Sequence, residues 1–351
     1  MNINKRARVL FRCDANADVG MGHLMRCHGL GRGLIREGCD VMMCGPSAAL
    51  AQHSPGMEYQ HWLPREWESI PAEAEHLASL VCAWSIDLVV VDDYRANEEF
   101  QRCLHDLGIK QLHFVPPQVT SVYAEVAVCT NPLALLRDYR DVMKVEGGEF
   151  LAGPAYAILR DEFDAVDPGR PRQALKNLLI TFGGGDDRGA IAFALSTLDD
   201  PMFASLKVRV VSGGSNPRNG SNQALADQLK HIQIEYIIQP DSMAVLLCLA
   251  DLALMAAGTT CYEAARCGVP MLLVSIADNQ TSQAEAFERL GCAAYLGTSI
   301  LLTASVLRSA LAALMVNTDE LQRMSVAAGK AVDGLGVRRV ITAIAGHIGL
   351  N

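Results

Sequence analysis

Short apolar runs alternate with longer helix-length segments along the first half of the chain. The runs are apolar or β-branched nearly throughout, which is typical of strands buried on both faces of a parallel sheet. Helix-length segments such as Gly22–Glu37 and Asn97–Leu107 lie between them. The pattern therefore predicts strands at Arg8–Cys13, Asp40–Cys44, Asp87–Val91, Lys110–Phe114 and Glu125–Cys129.

The second half repeats this alternation. Helices are predicted after its strands, for example at Ser242–Leu249 and Asn279–Leu290, and the chain is helical in pattern from about residue 303 to its end. The predicted strands are Asn177–Phe182, Lys207–Val211, Ile234–Ile238, Leu252–Met255 and Met271–Val274. Strand–helix alternation of this kind implies right-handed crossovers and an α/β fold with doubly wound sheets.

Prolines and glycines interrupt the alternation between residues 153 and 173, which makes this segment the best candidate for a domain boundary. We expect two Rossmann-like doubly wound parallel-sheet domains, one spanning 1–155 and the other 176–335. A linker at 156–175 and a C-terminal helix at 336–351 complete the prediction. Ligands bind outside the carboxyl ends of parallel strands, so two such domains are expected to face each other across one ligand cleft.

Composition narrows the possible partners. The 351 residues are 50% hydrophobic and carry a formal net charge of −9, without the basic stripe that nucleic-acid binding requires. No apolar stretch approaches the roughly 18 residues of a membrane span, and the N-terminus has no signal-peptide pattern, so a cytoplasmic location without stable membrane association is predicted. The eleven cysteines are predicted to be buried reduced thiols, and no metal or cofactor is expected because no ligand spacing is present.

The loop after the first strand runs from Asp14 to His23 and leads into the first helix. Gly20 and Gly22 allow tight turns and close approach of a ligand, and the helix start offers amide groups to an anion. His23 is placed where a titrating imidazole could face that ligand, although a glycine turn with an incidental histidine remains an alternative. His28 falls on a different face of the helix, and we interpret it as structural.

The loop after the run Asp87–Val91 reads Asp92-Asp93-Tyr94-Arg95. The two aspartates could be helix caps or could belong to a site. The phenol of Tyr94 can hold a water or a sugar hydroxyl.

In the second half, Gly183, Gly184 and Gly185 follow the first strand and expose backbone amides, which suits a diphosphate. The lysine of a P-loop is missing, which disfavours ATP hydrolysis. Thr259 and Thr260 open a later helix and could bind a phosphate. Glu263 could accept both hydroxyls of a ribose, or it could be the capping-box partner of Thr260.

A further strand-to-helix junction carries Asn279 and Gln280. Their amides are suited to sugar hydroxyls or to a positioned water. Helix capping alone is the alternative for Asn279.

Six segments in this order resemble the family of UDP-sugar hydrolases of pseudaminic acid biosynthesis. The resemblance covers nearly the whole chain, and the order of the segments is more specific than any one of them. They are Asp14…Gly20-Met-Gly-His23-Leu-Met-Arg26, Val-Asp-Asp-Tyr94, Gly153-Pro154-x-Tyr156-x-x-Leu159-Arg160, Phe-Gly-Gly-Gly-Asp, Ala-Gly-Thr-Thr-x-x-Glu263 and Asp278-Asn279-Gln280.

The resemblance implies the GT-B fold, related to lipid II-forming N-acetylglucosaminyltransferases. It also implies hydrolysis of UDP-2,4-diacetamido-2,4,6-trideoxy-β-L-altropyranose to UDP and free sugar, without a metal and with inversion at the anomeric carbon. Carried over by position, the catalytic residues are His23, Tyr94 and Asn279. The substrate-binding residues are Asp14, Gly22, Arg26, Asn131, Gly183, Gly184, Gly185, Thr259, Thr260, Glu263 and Gln280.

One departure concerns the sugar. Members of that family usually carry a paired-aspartate turn after the fourth strand of the N-terminal domain, where this chain reads His113-Phe-Val-Pro-Pro-Gln. The acetamido pattern of the sugar could therefore differ. Two alternatives to hydrolysis are a GT-B glycosyltransferase that uses the same donor and a binding protein without catalytic activity.

Overall fold

The computed structural model describes residues 6–15, 21–47, 59–167 and 171–350. Within these residues the first part of the chain forms one sheet whose strand pairings are all parallel, in the order β3-β2-β1-β4-β5-β6-β7. Its strands are β1 (Arg8–Cys13), β2 (Asp40–Gly45), β3 (His61–Pro64), β4 (Leu88–Asp92), β5 (Gln111–Phe114), β6 (Val126–Cys129) and β7 (Glu149–Ala152). Its helices include α1 (Gly22–Arg36), α2 (Ile70–Trp84) and α3 (Glu98–Asp106).

A second parallel sheet follows, in the order β10-β9-β8-β11-β12-β13. Its strands are β8 (Asn177–Thr181), β9 (Lys207–Ser212), β10 (Gln233–Ile238), β11 (Leu252–Ala256), β12 (Met271–Ser275) and β13 (Ala293–Thr298). The helices of this part are α4 (Ala190–Leu198), α5 (Asn219–Ala226), α6 (Met243–Cys248), α7 (Thr260–Arg266), α8 (Thr281–Arg289), α9 (Ala304–Val316) and α10 (Thr318–Ala331). The last helix of the described part is α11 (Gly336–Ile348).

Alternating side chains along the central strands explain why both faces of the first sheet are covered. Val9 and Phe11 of β1 are buried on the side that also holds the apolar side chains of α1 and α11. Leu10 of β1 and Val89 of β4 are buried on the opposite side with those of α2 and α3. A strand buried on both faces is apolar at nearly every position, which is the pattern seen in the sequence.

The two doubly wound parallel sheets confirm the predicted fold class. All ten predicted strands are present, with ends within one residue of the predicted ones. The pattern missed β3, β7 and β13, and each of these lies at the edge of its sheet. An edge strand is buried on fewer sides, so it retains polar residues and turn formers such as His61, Pro64 and Gly297 and does not form a continuous apolar run.

The chain divides into one compact unit of residues 1–160 and 335–351 and a second of residues 161–334. The division falls inside the segment predicted as a linker, and α11 returns to the first unit. There α11 packs closely on α1, because a Cβ added to Gly33 would lie 2.4 Å from the Val337 side chain. None of the helices in the described part is long and apolar enough to cross a membrane.

Candidate functional site

The order of strands reverses between β1 and β4 in the first sheet, and ligands commonly bind at such a point of a parallel sheet. Cys13 at the end of β1 is in register with Asp92 at the end of β4. This pairing brings Asp14, just after β1, next to the segment Asp92–Arg95. Gly20, predicted to shape the first loop, lies outside the described residues, whereas Gly22 begins α1 and His23 is its second residue.

His23, Asp92 and Arg26 form a buried cluster at this point. The His23 ring, 7% exposed, places Nδ1 2.6 Å from Oδ1 of Asp92, which is 1% exposed. Arg26, one turn along α1 from His23, donates from Nε to Oδ2 at 2.7 Å and from Nη2 to Oδ1 at 2.6 Å. Burial alone would raise the pKa of Asp92, but the charge of Arg26 and the hydrogen bonds of His23 and Arg26 hold it well below its usual range. The carboxylate is therefore ionised at neutral pH.

Tyr94 lies against the histidine. Its ring meets the His23 ring edge-on, with centroids 4.5 Å apart and planes 88° apart, while 67% of the tyrosine remains exposed. The structure thus brings together two of the three residues predicted as catalytic, His23 and Tyr94, within the first unit. Asn279 belongs to the second unit.

A second ion pair flanks this cluster. Arg95 donates from Nη2 to Asp14 Oδ2 at 2.6 Å and to Asp93 Oδ2 at 2.7 Å. The Arg95 guanidinium lies 5.0 Å from the Trp67 ring centre, and the guanidinium of the buried Arg12 lies 5.3 Å from it. Asp14, a predicted substrate-binding residue, is therefore tied to the Asp93–Arg95 turn.

The helix-cap interpretation of Asp92 and Asp93 is wrong. The cap of α3 is Asn97, whose side chain accepts a hydrogen bond from Phe100 N at 3.1 Å. Sequence reasoning missed Asp92 as the partner of His23, because that role depends on which strand lies beside β1. The available signal was a carboxylate at the carboxyl end of an apolar strand.

Two further predicted residues have structural contacts. Asn131 caps the short 3-10 helix Pro132–Leu136 by accepting from Leu133 N at 2.9 Å. His28 is buried, as expected for a structural residue, and burial lowers its pKa to about 4.

The segment that begins at His113, where the sequence lacks the paired aspartates, contributes a buried histidine and an aromatic ring. His113 is buried in β5, with Nε2 2.7 Å from Oε1 of Gln111, and burial lowers its pKa to about 3. The next residue, Phe114, places its ring 4.4 Å from the Arg26 guanidinium. An aromatic face therefore supports Arg26 at this position of the chain.

In the second unit, the corresponding reversal of strand order lies between β8 and β11. The Gly183–Gly185 loop follows β8, and a side chain added at any of the three glycines would meet nothing within 4 Å. Gly183 has φ +96°, a left-handed conformation that favours glycine. The loop therefore presents open backbone, as a diphosphate cradle requires.

A buried carboxylate anchors the end of this loop. Asp187, 1% exposed, accepts from Nδ2 of Asn216 at 2.6 Å and of Asn222 at 2.8 Å, and from Gly189 N at 2.6 Å. Gly213, which follows β9, packs directly on the backbone of Gly184. Sequence reasoning did not identify these supporting residues.

Beside the glycine loop, α7 begins after β11. Thr259 is the N-cap residue and makes no capping hydrogen bond with its side chain, and Thr260 is the first helical residue. Glu263 is thus not at the third helical position, so the capping-box interpretation is wrong. Gln283 of α8 donates to Ala257 O at 3.1 Å and to Gly258 O at 2.6 Å, which holds the turn before α7 in place.

Asn279 and Gln280 lie in a 3-10 turn, Asp278–Gln280, that follows β12. Asn279 is exposed and does not cap the turn, whose N-cap residue is Ala277. Gln280 accepts from Ile276 N at 2.9 Å, so its carbonyl oxygen stabilises its own loop.

An apolar cavity of about 290 Å³ lies in the second unit between α4, α9 and the sheet. Phe182, Phe193, Leu254 and Ile300 are among its lining residues, and Arg188 lies at its wall. None of the predicted nucleotide-binding residues lines it, so it is separate from the candidate nucleotide site.

Comparison with known proteins identifies similar sequences for most of the chain. Residues 182–336 match the model of the glycosyltransferase family 28 C-terminal domain. Over 331 residues the chain is 26% identical to the spore coat polysaccharide biosynthesis protein SpsG of Bacillus subtilis, which covers 93% of this chain and 94% of the relative. Over 280 residues it is 23% identical to the UDP-2,4-diacetamido-2,4,6-trideoxy-beta-L-altropyranose hydrolase of Campylobacter jejuni. This similarity covers 79% of this chain and 94% of the relative.

The fold is that of the GT-B proteins. The crystal structure of Acinetobacter baumannii MurG superposes with a TM-score of 0.66 at 18% identity, covering 97% of this chain and 99% of MurG. The chain therefore has a GT-B-like fold, and its residues 182–336 match the C-terminal-domain model of glycosyltransferase family 28.

Proposed function

We propose that the protein hydrolyses a UDP-linked sugar, with His23 as the general base. The observation that carries the proposal is the contact of His23 Nδ1 with the ionised Asp92 at 2.6 Å, at the point where the strand order reverses. Histidine is the side chain that most often acts as a general base in enzymes. The similarity to the Campylobacter jejuni hydrolase over 94% of its length supports hydrolysis.

The proposed step is a direct displacement. The oxygen of a water molecule attacks the anomeric carbon while the bond from that carbon to the UDP oxygen breaks. The proton of the water passes to Nε2 of His23, and UDP leaves with the bonding electron pair. UDP is already a good leaving group, so the acidic group of a two-carboxylate glycoside hydrolase is not required. Attack from the side opposite to UDP inverts the anomeric carbon.

We assign Tyr94 and Asn279 to the attacking water. For Tyr94 the support is twofold: its ring contacts the His23 ring, and its side chain is exposed to solvent. Asn279 enters through the resemblance, and its exposed position in the loop after β12 is compatible with contact to a ligand.

We assign UDP to the second domain. The open backbone of Gly183–Gly185 suits the diphosphate, and the start of α7 at Thr259 and Thr260 lies after the neighbouring strand β11. Glu263 is buried one turn into α7, where its carboxylate can accept both ribose hydroxyls. The match to the family 28 domain, which begins at residue 182, supports this assignment.

The proposed substrate is UDP-2,4-diacetamido-2,4,6-trideoxy-β-L-altropyranose, within pseudaminic acid biosynthesis and flagellin glycosylation. The substrate in the name of the Campylobacter jejuni relative supports the choice of this sugar. The His113–Pro117 segment lacks the paired aspartates of that family, and this difference concerns the identity of the sugar more than the type of reaction. A panel of UDP-sugars that differ in their acetamido groups therefore belongs in the test.

Release of UDP tests the reaction directly. Each UDP-sugar is incubated with the protein in the presence of EDTA and without an acceptor, in ¹⁸O-labelled water, and the products are followed by NMR and mass spectrometry. Hydrolysis by the proposed route yields free UDP without label and an inverted sugar that carries ¹⁸O at the anomeric carbon. Label in UDP would exclude attack at carbon.

Variants separate the two assigned roles. His23→Gln should lower the turnover rate on the order of 10²- to 10⁴-fold, because the base is lost. Glu263→Gln should chiefly weaken UDP binding. The exposed His105→Ala on α3 and Glu285→Gln on α8 are matched controls and should change neither quantity. A His23→Gln protein with an undiminished rate would exclude His23 as the base.

A GT-B glycosyltransferase is the second candidate, because the model that matches residues 182–336 describes glycosyltransferases. It predicts that UDP is released only after an acceptor is added. Binding of a UDP-sugar without turnover under either condition would instead indicate a binding protein.

A further inference from the structure

The carboxylate of Asp92 contacts two residues, His23 and Arg26, which share its oxygen Oδ1. Oδ1 lies 2.6 Å from His23 Nδ1 and also accepts from Arg26 Nη2 at 2.6 Å, while Oδ2 accepts from Arg26 Nε at 2.7 Å. Arg26 Nη2 itself lies 3.5 Å from His23 Nδ1. An ionised carboxylate can only accept hydrogen bonds, so Nδ1 must carry the proton in the contact with Oδ1.

We propose that Asp92 is the positioning residue of His23: it holds the neutral ring in the form protonated at Nδ1, which leaves the lone pair on Nε2 for the reaction. This inference rests on the proposed function of His23 as a base. It deepens that function by assigning the reacting nitrogen and the residue that selects it.

Arg26 has a separate part in this arrangement. Its bidentate contact keeps Asp92 ionised and fixes the carboxylate plane, and the Phe114 ring at 4.4 Å supports its guanidinium. When Nε2 takes the proton of the attacking water, the ring becomes an imidazolium that still donates from Nδ1 to Asp92. The carboxylate stabilises that charge without taking the proton, because Arg26 already satisfies it.

The neighbouring carboxylate Asp93 does not share this role. Its oxygens accept from Arg95, at 2.9 Å from Nε to Oδ1 and at 2.7 Å from Nη2 to Oδ2. Of these two adjacent aspartates, Asp92 is therefore the one that orients the histidine.

The tautomer can be measured without any substrate. Protein labelled with ¹⁵N at its nine histidines is examined by long-range ¹H–¹⁵N NMR at a pH where the ring is neutral, and the signals that vanish in His23→Gln identify His23. The wild-type ring should be protonated at Nδ1. In Asp92→Ala the signals should shift toward the form protonated at Nε2, because Nδ1 has lost its acceptor.

Activity supplies the second readout. With a UDP-sugar that the wild type hydrolyses, Asp92→Ala should lower kcat about 10²-fold or more and change KM less than kcat, since Asp92 itself is not assigned to the substrate. The exposed Asp106→Ala on α3 is the control and should match the wild type in both spectrum and rate.

The two proposals fail in different ways. If no UDP-sugar is hydrolysed but the wild-type ring is protonated at Nδ1, the proposed function fails and the orienting contact stands. If the wild-type ring is protonated at Nε2, or if Asp92→Ala changes neither spectrum nor rate, the positioning role is overturned even where hydrolysis is observed. Should Asp92→Ala not fold, the wild-type spectrum alone decides.

Discussion

Substitution of Gly213 by alanine should disrupt the glycine loop of the second domain. A Cβ at this position would lie 2.2 Å from Gly184 O and 2.4 Å from Gly184 Cα, whereas ordinary contacts are 3.4 Å or longer. The opposing atoms belong to the backbone, so no rotamer change can relieve the clash. Either the loop after β8 or the turn after β9 must therefore move by about 1.2 Å.

The magnitude follows from overpacking. Forcing a methyl group into a closely packed position costs about 1–3 kcal/mol of the free energy of unfolding. If the Gly183–Gly185 loop binds the diphosphate of UDP, a displacement of this size also misplaces its amide groups. Loss of roughly 1.4 kcal/mol of binding free energy corresponds to a tenfold weaker Kd, and we expect a loss of at least this size.

Thermal unfolding and calorimetric titration with UDP measure the two effects separately. Gly220→Ala is the matched control, because Gly220 lies in α5 with nothing within 4 Å of an added Cβ. That variant should be as stable as the wild type or more stable by up to about 1 kcal/mol. A Gly213→Ala protein with unchanged Tm would refute the packing argument, and one with lowered Tm but unchanged UDP affinity would refute the assignment of the diphosphate to this loop.

Two further predictions concern stability. Asp187→Asn places an amide where a buried carboxylate accepts three hydrogen bonds, so the free energy of unfolding in urea should fall by about 1–3 kcal/mol and UDP binding should weaken. The pKa values of about 4 for His28 and about 3 for His113 lie below the ordinary value of 6.5. The unfolded state therefore binds protons first, and stability that is full above pH 6.5 should be lost as the pH falls toward 4, by about 1.4 kcal/mol per pH unit for each histidine. His113→Gln, which keeps a donor for Gln111, should reduce the loss between pH 7.5 and 5.5 by about 1 kcal/mol in urea unfolding.

The Asp187→Asn and His113→Gln predictions each have a control variant and a result that would contradict them. The exposed Asp227→Asn at the end of α5 should leave both stability and UDP binding unchanged, and an equally small effect of Asp187→Asn would contradict the anchoring role of that carboxylate. The exposed His105→Gln should keep the full pH dependence of the wild type. If His113→Gln keeps it as well, the buried ring is not the source of the proton uptake.

The sequence by itself determined most of the architecture. Strands buried on both faces need apolar side chains at nearly every position, so the central strands of both sheets stand out as largely apolar runs. The same alternation placed Tyr94 and Gly183 in loops after strands, and it placed His23 and Thr259 where such a loop meets the next helix. These are local properties, and a residue's neighbours in the chain are sufficient to reveal them.

Three of the four edge strands and the packing of the last helix depended on the tertiary structure. β3, β7 and β13 are only partly covered, and their sequences are correspondingly mixed. α11 follows α10 in the chain but packs in the first unit, where Gly33 allows Val337 to approach. A local sequence pattern does not predict which sheet a helix will cover, because that depends on which sheet still has an uncovered apolar surface.

The candidate site divides in the same way. Periodicity located His23 at the end of the loop after β1 and Asp92 directly after the run that became β4, 69 residues apart in the chain. Only the strand order, in which β4 pairs with β1, brings the ring and the carboxylate to 2.6 Å and shows that Asp92 orients a histidine and does not cap a helix. The chemistry of each residue is local, whereas its partner is decided by the order of strands in the sheet.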